Sequence, residues 1–199
     1  MIKAVIFDWG GVLIENPAQS LTNYTARWLG IRPDELAPVQ ERYMQGFQKN
    51  EVTEEEFWQY VCGDLGINIP HPGKIWGEAF AAVYKPRGGM FNLAADLKKN
   101  GYKIGFLSNT EIPAMKFFAQ QGYTMFDVAL FSCAEGIVKP EMAIYDMMVA
   151  RLNVPSSSSV FIDDRLLFVL GAKIAGLEGI LFQNEGQVKA DLKRLGVVF

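Results

Sequence analysis

The sequence has a single histidine and only two cysteines. The histidine, His71, lies between Pro70 and Pro72 and reads as a solvated loop residue. Zinc centres draw on several His or Cys ligands, and Ser-His-Asp systems need a histidine beside the serine, so both are poorly supported. Cys62 and Cys133 have no metal-ligand spacing and belong to no disulfide framework, which fits a reduced, cytoplasmic compartment. No apolar run is long enough to span a bilayer, and no leader precedes the first predicted strand, so no membrane partner is expected. Excess charge is also missing. The net charge is −3 with both signs scattered along the chain, which gives no footprint for nucleic acid or an anionic membrane surface. What remains is a chain of 199 residues, half of them hydrophobic, enough for one core plus a small insert.

The informative stretch is Lys3 to Leu13, which reads Lys-Ala-Val-Ile-Phe-Asp8-Trp-Gly10-Gly11-Val-Leu. A short apolar run rich in β-branched residues predicts a buried strand. It ends on an acid followed closely by two glycines. An ionised carboxylate at the end of a buried strand is costly unless something compensates it. In an open α/β sheet that edge is where ligands bind. Taken alone, the stretch is equally a strand closed by an Asx turn.

From Pro17 to about Tyr84 the period is helical. Helices are predicted over Thr22–Leu29, Asp34–Phe47, a segment begun by the capping box Thr53-Glu54-Glu55-Glu56, and Lys74–Tyr84. The third is expected to bury Phe57, Tyr60, Val61 and Leu65. The Gly66–Gly73 stretch reads as a loop. Beyond Lys85-Pro86-Arg87-Gly88-Gly89, strands and helices alternate. Strands are expected over Tyr102–Leu107, Val128–Phe131, Val160–Ile162 and Gly179–Phe182. Helices are expected over Phe91–Lys99, Ile112–Gln120, Pro140–Leu152, Leu166–Ala175 and Gln187–Leu195, with Pro140 in a first turn. The pattern implies an α/β fold: a Rossmann-like parallel sheet with helices on both faces, plus a small helical insert after the first strand. The expected division is a core of residues 1–14 and 86–199 and an insert of residues 15–85.

Polar residues recur where strands end or loops follow: Asp8, then Ser108 and Asn109, then Lys139, then Asp163 and Asp164. Three carboxylates share a small site while ionised only if a cation sits among them. Hard oxygen ligands suit Mg²⁺. A lysine and a serine hydroxyl suit a phosphate or another oxyanion. A carboxylate held there is also a candidate nucleophile that forms an aspartyl-phosphate.

These segments resemble the four motifs of the haloacid dehalogenase superfamily, in the branch with a small helical cap inserted after the first motif. Phe7-Asp8-Trp9-Gly10-Gly11-Val12-Leu13 resembles the first, Leu107-Ser108-Asn109 the second, Val138-Lys139-Pro140 the third and Phe161-Ile162-Asp163-Asp164-Arg165 the fourth. The resemblance implies a Mg²⁺-dependent hydrolase acting on a small phosphorylated metabolite. It implies Asp8 as nucleophile and metal ligand, with the Gly10 carbonyl as a second ligand. Ser108 and Lys139 would hold the phosphoryl oxygens, Lys139 would screen Asp8, and Asn109 would add a hydrogen bond. Asp164 aligns as the direct metal ligand and Asp163 as the holder of a metal-bound water, an order the motif also permits in reverse.

Two departures stand out. The family's phosphatases carry a second aspartate two residues after the nucleophile, as general acid and base, and here that position is Gly10. Such help is worth about 10²–10⁴-fold, so a slow phosphatase is expected. Phe168 stands where the branch often has asparagine, and is read as local repacking. Three other readings remain. A dehalogenase also lacks the second aspartate but needs no Mg²⁺, which the Asp163-Asp164 pair disfavours. A phosphonatase would need a cap lysine, with Lys49 and Lys74 as candidates. A catalytically weak binding or regulatory member is favoured by Gly10 alone. The cap aromatics Tyr24, Trp28, Tyr43, Phe47, Phe57 and Trp58 are expected to be mostly core. Nothing in the sequence marks an oligomeric state.

Overall fold

The computed structural model describes residues 1–70 and 74–199. His71 lies outside the described residues. Strand β1 (Ala4–Phe7) is followed by four helices, α1 (Ala18–Leu29), α2 (Pro33–Gln48), α3 (Glu54–Leu65) and α4 (Trp76–Val83). The chain then runs α5 (Gly88–Lys99), β2 (Lys103–Ser108), α6 (Ile112–Gln120), β3 (Val128–Phe131) and the single-turn α7 (Ser132–Glu135). It closes with α8 (Met142–Leu152), β4 (Ser159–Asp163), α9 (Leu166–Ile174), β5 (Glu178–Leu181) and α10 (Glu185–Arg194).

The five strands form one parallel sheet in the order β3-β2-β1-β4-β5. Every residue of β1 is buried, as expected for a strand covered on both faces. Its side chains alternate between two cores. Val5 and Phe7 pack with α5 and α10 through Leu93, Leu97, Val188 and Leu192. Ala4 and Ile6 pack with α8 and α9 through Ile144, Met148, Phe168 and Ala172. Fully burying each large apolar side chain contributes about 1.5–3 kcal/mol. The chain builds outward from β1 to β3, then returns to place β4 on the other side of β1. The carboxyl end of β1 therefore lies at a topological switch point.

The chain leaves and re-enters this core through one narrow join. Glu15 N donates to Lys85 O at 2.9 Å and Arg87 N donates to Leu13 O at 2.8 Å. Between these crossings lie α1 to α4 and, among the described residues, no strand. Their apolar faces meet in an aromatic cluster: Phe47 stacks on Phe57 at 4.6 Å between centroids, and Trp28 meets Trp58 edge-on at 5.2 Å.

The structure corrects several expected boundaries. Helix α1 begins at Ala18 rather than Thr22, because Asn16 Oδ1 accepts from Ala18 N at 3.1 Å. Helix α4 begins at Trp76 rather than Lys74, because Glu54 Oε1 accepts from both Ile75 N and Trp76 N at 2.6 Å. Helix α3 buries Phe57, Trp58, Val61 and Cys62, while Tyr60 is 44% exposed. The aromatic cluster takes Trp58, which rotates Tyr60 outward. Pro140 is not in the first turn of α8. It follows a cis peptide bond, and Glu141 precedes the helix. Residues 138–141 instead close a turn in which Glu141 N donates to Val138 O at 2.9 Å.

The capping box of α3 forms as its sequence implies. Glu56 N donates to Thr53 Oγ1 at 3.2 Å, and Thr53 N donates to Glu56 Oε2 at 2.8 Å. Thr53→Ala should cost about 1 kcal/mol in a denaturant-unfolding experiment. An unchanged midpoint would mean that tertiary packing alone holds the start of α3.

Candidate active site

Asp8 is set by the sheet register. Its N–H continues the ladder to Ile162 O at 3.0 Å, which places it beside Asp163 at the end of β4. The Lys139 ammonium lies between them, 2.7 Å from Asp8 Oδ1, 2.7 Å from Asp163 Oδ2 and 3.3 Å from Leu107 O. Its three hydrogens thus meet three acceptors. The lysine side chain is 1% exposed. Removing the cation would leave two buried carboxylates facing each other, a change of about 3–5 kcal/mol.

The environment shifts these groups. Burial pushes the Asp8 carboxyl up to about 7; Lys139 opposes that shift and Asp163 adds to it. Burial also works against the charge on Lys139, but Asp163 and Asp8 outweigh it and hold the ammonium above its ordinary value. Burial raises Asp164 as well, opposed by a hydrogen bond from Asn16. One ammonium therefore does not compensate all three acids.

Carboxylate oxygens of Asp8, Asp163 and Asp164 lie within 4.8 Å of one another. This all-oxygen donor set suits a hard divalent cation. Asp163 is fully buried and each of its oxygens already accepts a bond, from Lys139 Nζ and from Arg165 N at 2.8 Å. Asp164 is half-buried and lines a cavity of about 320 Å³, together with Asp8, Gly10 and Ser108. Asp164 is thus the better placed of the pair to reach an ion.

The two glycines differ. Gly11 has φ +90, and a Cβ there would lie 2.0 Å from Asp164 Oδ2. Gly11 is needed both for its backbone angle and to admit Asp164. Gly10 has no positive φ, and a Cβ there would meet only Pro17, at 3.2 Å from its Cδ.

Asn109 holds Lys139 from behind. Its Oδ1 accepts from Lys139 N at 2.8 Å and its Nδ2 donates to Lys139 O at 3.0 Å. The side chain expected to meet substrate is thus engaged in positioning the lysine, with one amide hydrogen left over. Ser108 is buried at the cavity floor.

Three residues in the site lie outside the four motifs. Asn16 donates to Asp164 Oδ2 at 3.1 Å while its Oδ1 accepts from Ala18 N at the start of α1; its only trace is an Asn-Pro pair before a helix. Phe168 does more than repack. Its ring lies 4.9 Å from Lys139 Nζ and 4.3 Å from the Arg165 guanidinium carbon. Glu111 is buried and lines the same cavity as Asp8. The two lysines considered for a Schiff base are elsewhere. Lys49 pairs with Glu141 at 2.8 Å, and neither it nor Lys74 is among the described residues lining the cavity.

The family described as "Hydrolase: haloacid dehalogenase-like hydrolase" matches residues 2–176. The chain is 23% identical to a sesquiterpene phosphatase of Aspergillus oryzae, over 97% of this chain and 96% of that protein. It superposes on a HAD-like family hydrolase from Porphyromonas gingivalis with a TM-score of 0.76, at 22% identity and covering 100% of both chains. It superposes on a HAD family enzyme of Bacteroides thetaiotaomicron, solved with magnesium and inorganic phosphate, with a TM-score of 0.71. That pair is 19% identical and the match covers 92% of this chain and 95% of the other. Among the described residues no helix is long and apolar enough to cross a membrane. With the family match spanning most of its length and the parallel fold shared with these enzymes, the chain belongs to the haloacid dehalogenase-like hydrolases.

Proposed function

We propose that this hydrolase is a Mg²⁺-dependent phosphatase of small phosphate monoesters, working through an aspartyl-phosphate on Asp8. The observation that carries the reading is the cluster of Asp8, Asp164 and Lys139 at the floor of one cavity. Two likenesses agree with it: a relative named as a phosphatase, and a fold neighbour holding magnesium and phosphate. The helices of residues 15–85 serve as a cap over the core of residues 1–14 and 86–199.

Asp8 and Asp164, with the Gly10 carbonyl, would hold Mg²⁺, and Asp163 would orient its water. The ion supplies charge stabilisation to the phosphoryl oxygens. Asp8 attacks phosphorus, the bond from phosphorus to the ester oxygen breaks with its electron pair going to that oxygen, and the leaving alkoxide takes a proton from solvent to depart as the alcohol. Water then cleaves the aspartyl-phosphate, releasing phosphate and restoring Asp8. Lys139 screens the nucleophile and, with Ser108, faces the transferred group. To touch a phosphoryl oxygen the ammonium must give up one of its three present acceptors.

Asp8→Asn keeps the size of the side chain and removes the anionic oxygen. It should abolish turnover and abolish trapping by beryllium fluoride. Retained phosphatase activity in that variant would sink the covalent route. Mg²⁺ should raise the melting temperature of the wild type through linkage. Asp164→Ala should stay folded and lose most of that response, and an equal rise in both proteins would place the ion elsewhere.

Gly10 yields a third expectation. No carboxyl stands there to protonate the leaving alcohol, so rates should fall steeply as the leaving group becomes less acidic. Gly10→Asp is sterically feasible, since the backbone angle is ordinary and only Pro17 has to give slightly. The variant should flatten the dependence and speed alkyl esters by up to about 10²–10⁴-fold. A wild-type series that is already flat would show that another group acts as the acid.

A further inference from the structure

Glu111 is a buried carboxyl that the chemistry at Asp8 does not use. It lies just after Asn109, before α6, and is 5% exposed. Its Oε2 accepts from Trp76 Nε1 at 2.9 Å, and its Oε1 accepts from Gln48 Nε2 at 3.1 Å. Both donors are neutral, and no cation contributes to its environment. A carboxylate offers about four acceptor positions, so these two donors and the Glu111 backbone N–H, all neutral, leave it only partly satisfied. Glu111 also lines the cavity it shares with Asp8.

The charges of that cavity are segregated. Among the described residues that line it, Lys139 and Arg165 are the two basic ones, and both belong to the segments around the acid cluster. Among the described lining residues contributed by α1, α2 and α4 there is no lysine or arginine, and Glu41 adds a second acid. The remaining walls there are largely apolar, including Leu21, Met44 and Phe80.

We propose that Glu111 reads the alcohol half of the substrate, and that this half is not anionic and carries a hydrogen-bond donor, a hydroxyl or an ammonium, beyond an apolar stem. This names the substrate class for the phosphatase reading and rests on it. The physical reason is satisfaction on desolvation. When substrate fills the cavity and water leaves, an apolar end would strand the open acceptor positions of Glu111 in a dry site. A carboxylate or second phosphate would face an acid with no cation to offset it. A hydroxyl or ammonium completes the acceptor set. Burial already pushes the Glu111 carboxyl upward, and this marks how little its present partners compensate it.

The test is a matched series of alkyl phosphates of one chain length ending in methyl, hydroxyl, ammonium or carboxylate, assayed with Mg²⁺ beside an aryl phosphate. In the wild type, kcat/KM for the hydroxyl or ammonium ester should exceed that for the methyl ester by about tenfold or more. The carboxylate ester should rank last. The hydroxyl and ammonium arms then tell which donor is preferred. Glu111→Gln keeps an acceptor for Trp76 Nε1 and, once the Gln48 amide flips, a donor for Gln48 Oε1, but it removes the charge, so any ammonium preference should shrink. Glu111→Leu should turn the ranking toward methyl. A mere tie between the cap helices and the loop after β2 would slow all esters alike and leave their ranking unmoved, and that result would overturn the proposal. So would a wild type that favours the methyl ester. Aryl turnover without any ranking would overturn it and leave the phosphatase reading standing. No turnover of any ester would overturn the reading beneath it.

Discussion

The ammonium of Lys139 lies where water does not reach, and each of its three hydrogens meets an oxygen supplied by a different strand end: Asp8 after β1, Leu107 in β2 and Asp163 in β4. A charge in that position is tolerable only if all three acceptors arrive together. The register of the sheet is what brings them. A slip of one residue in β4 would carry Asp163 to the other face and leave Lys139 without one of its three acceptors. The lysine itself comes from a turn outside the sheet, so its backbone has to be fixed by other means. Asn109 does this with two hydrogen bonds, and Glu141 accepts Val138 N at 3.3 Å from within the turn.

The same loops hold the inserted helices. The end of α2 meets the core at three points: Ser132 Oγ donates to Gln48 O at 2.7 Å, Gln48 Nε2 reaches Glu111, and Lys49 reaches Glu141. Trp76, at the start of α4, adds a second bond to Glu111. Two of these acceptors, Glu111 and Glu141, lie two residues from Asn109 and Lys139. Any displacement of α2 is therefore felt where the ammonium is positioned. The exposed ion pairs elsewhere, such as Arg42 with Asp64, are worth little by comparison because solvent screens them.

Much of this was legible in the chain. Buried apolar runs that end on Asp8 or on Asp163 leave few places for the acids except the carboxyl edge of a sheet. The Thr53 capping box is local, and local chemistry reads well from sequence. Phe168, Asn16 and Glu111 were not legible as site residues. Asn16 and Glu111 act through partners far away in sequence, so no spacing announces them, and the position of Phe168 marks a departure without showing that its ring lies over Lys139. Tyr60 and Trp58 sit on neighbouring parts of one helix surface, and periodicity alone did not decide which would be buried. Packing against Trp28 decided it. Pro140 fits a helical first turn on propensity, but the need to aim Lys139 inward sets a turn there instead.

Gly10 and Gly11 look alike in the sequence and are opposite in physics. Gly11 is compelled: its φ of +90 and the Asp164 carboxylate pressed against its Cα exclude a side chain. Gly10 has an ordinary backbone and meets only the edge of a proline ring. Sterics therefore do not explain the missing acid at this position. The same cavity is also lined by a carboxyl at Glu111, tied to Gln48 of α2 and Trp76 of α4 rather than to the segment after β1. A carboxyl on β1 would act on the bond that breaks, whatever alcohol is attached. A carboxyl tied to Gln48 and Trp76 can act only on an alcohol that reaches it. On the proposed reading, a carboxyl held at Glu111 would contribute to discrimination among esters rather than to the chemistry common to all of them.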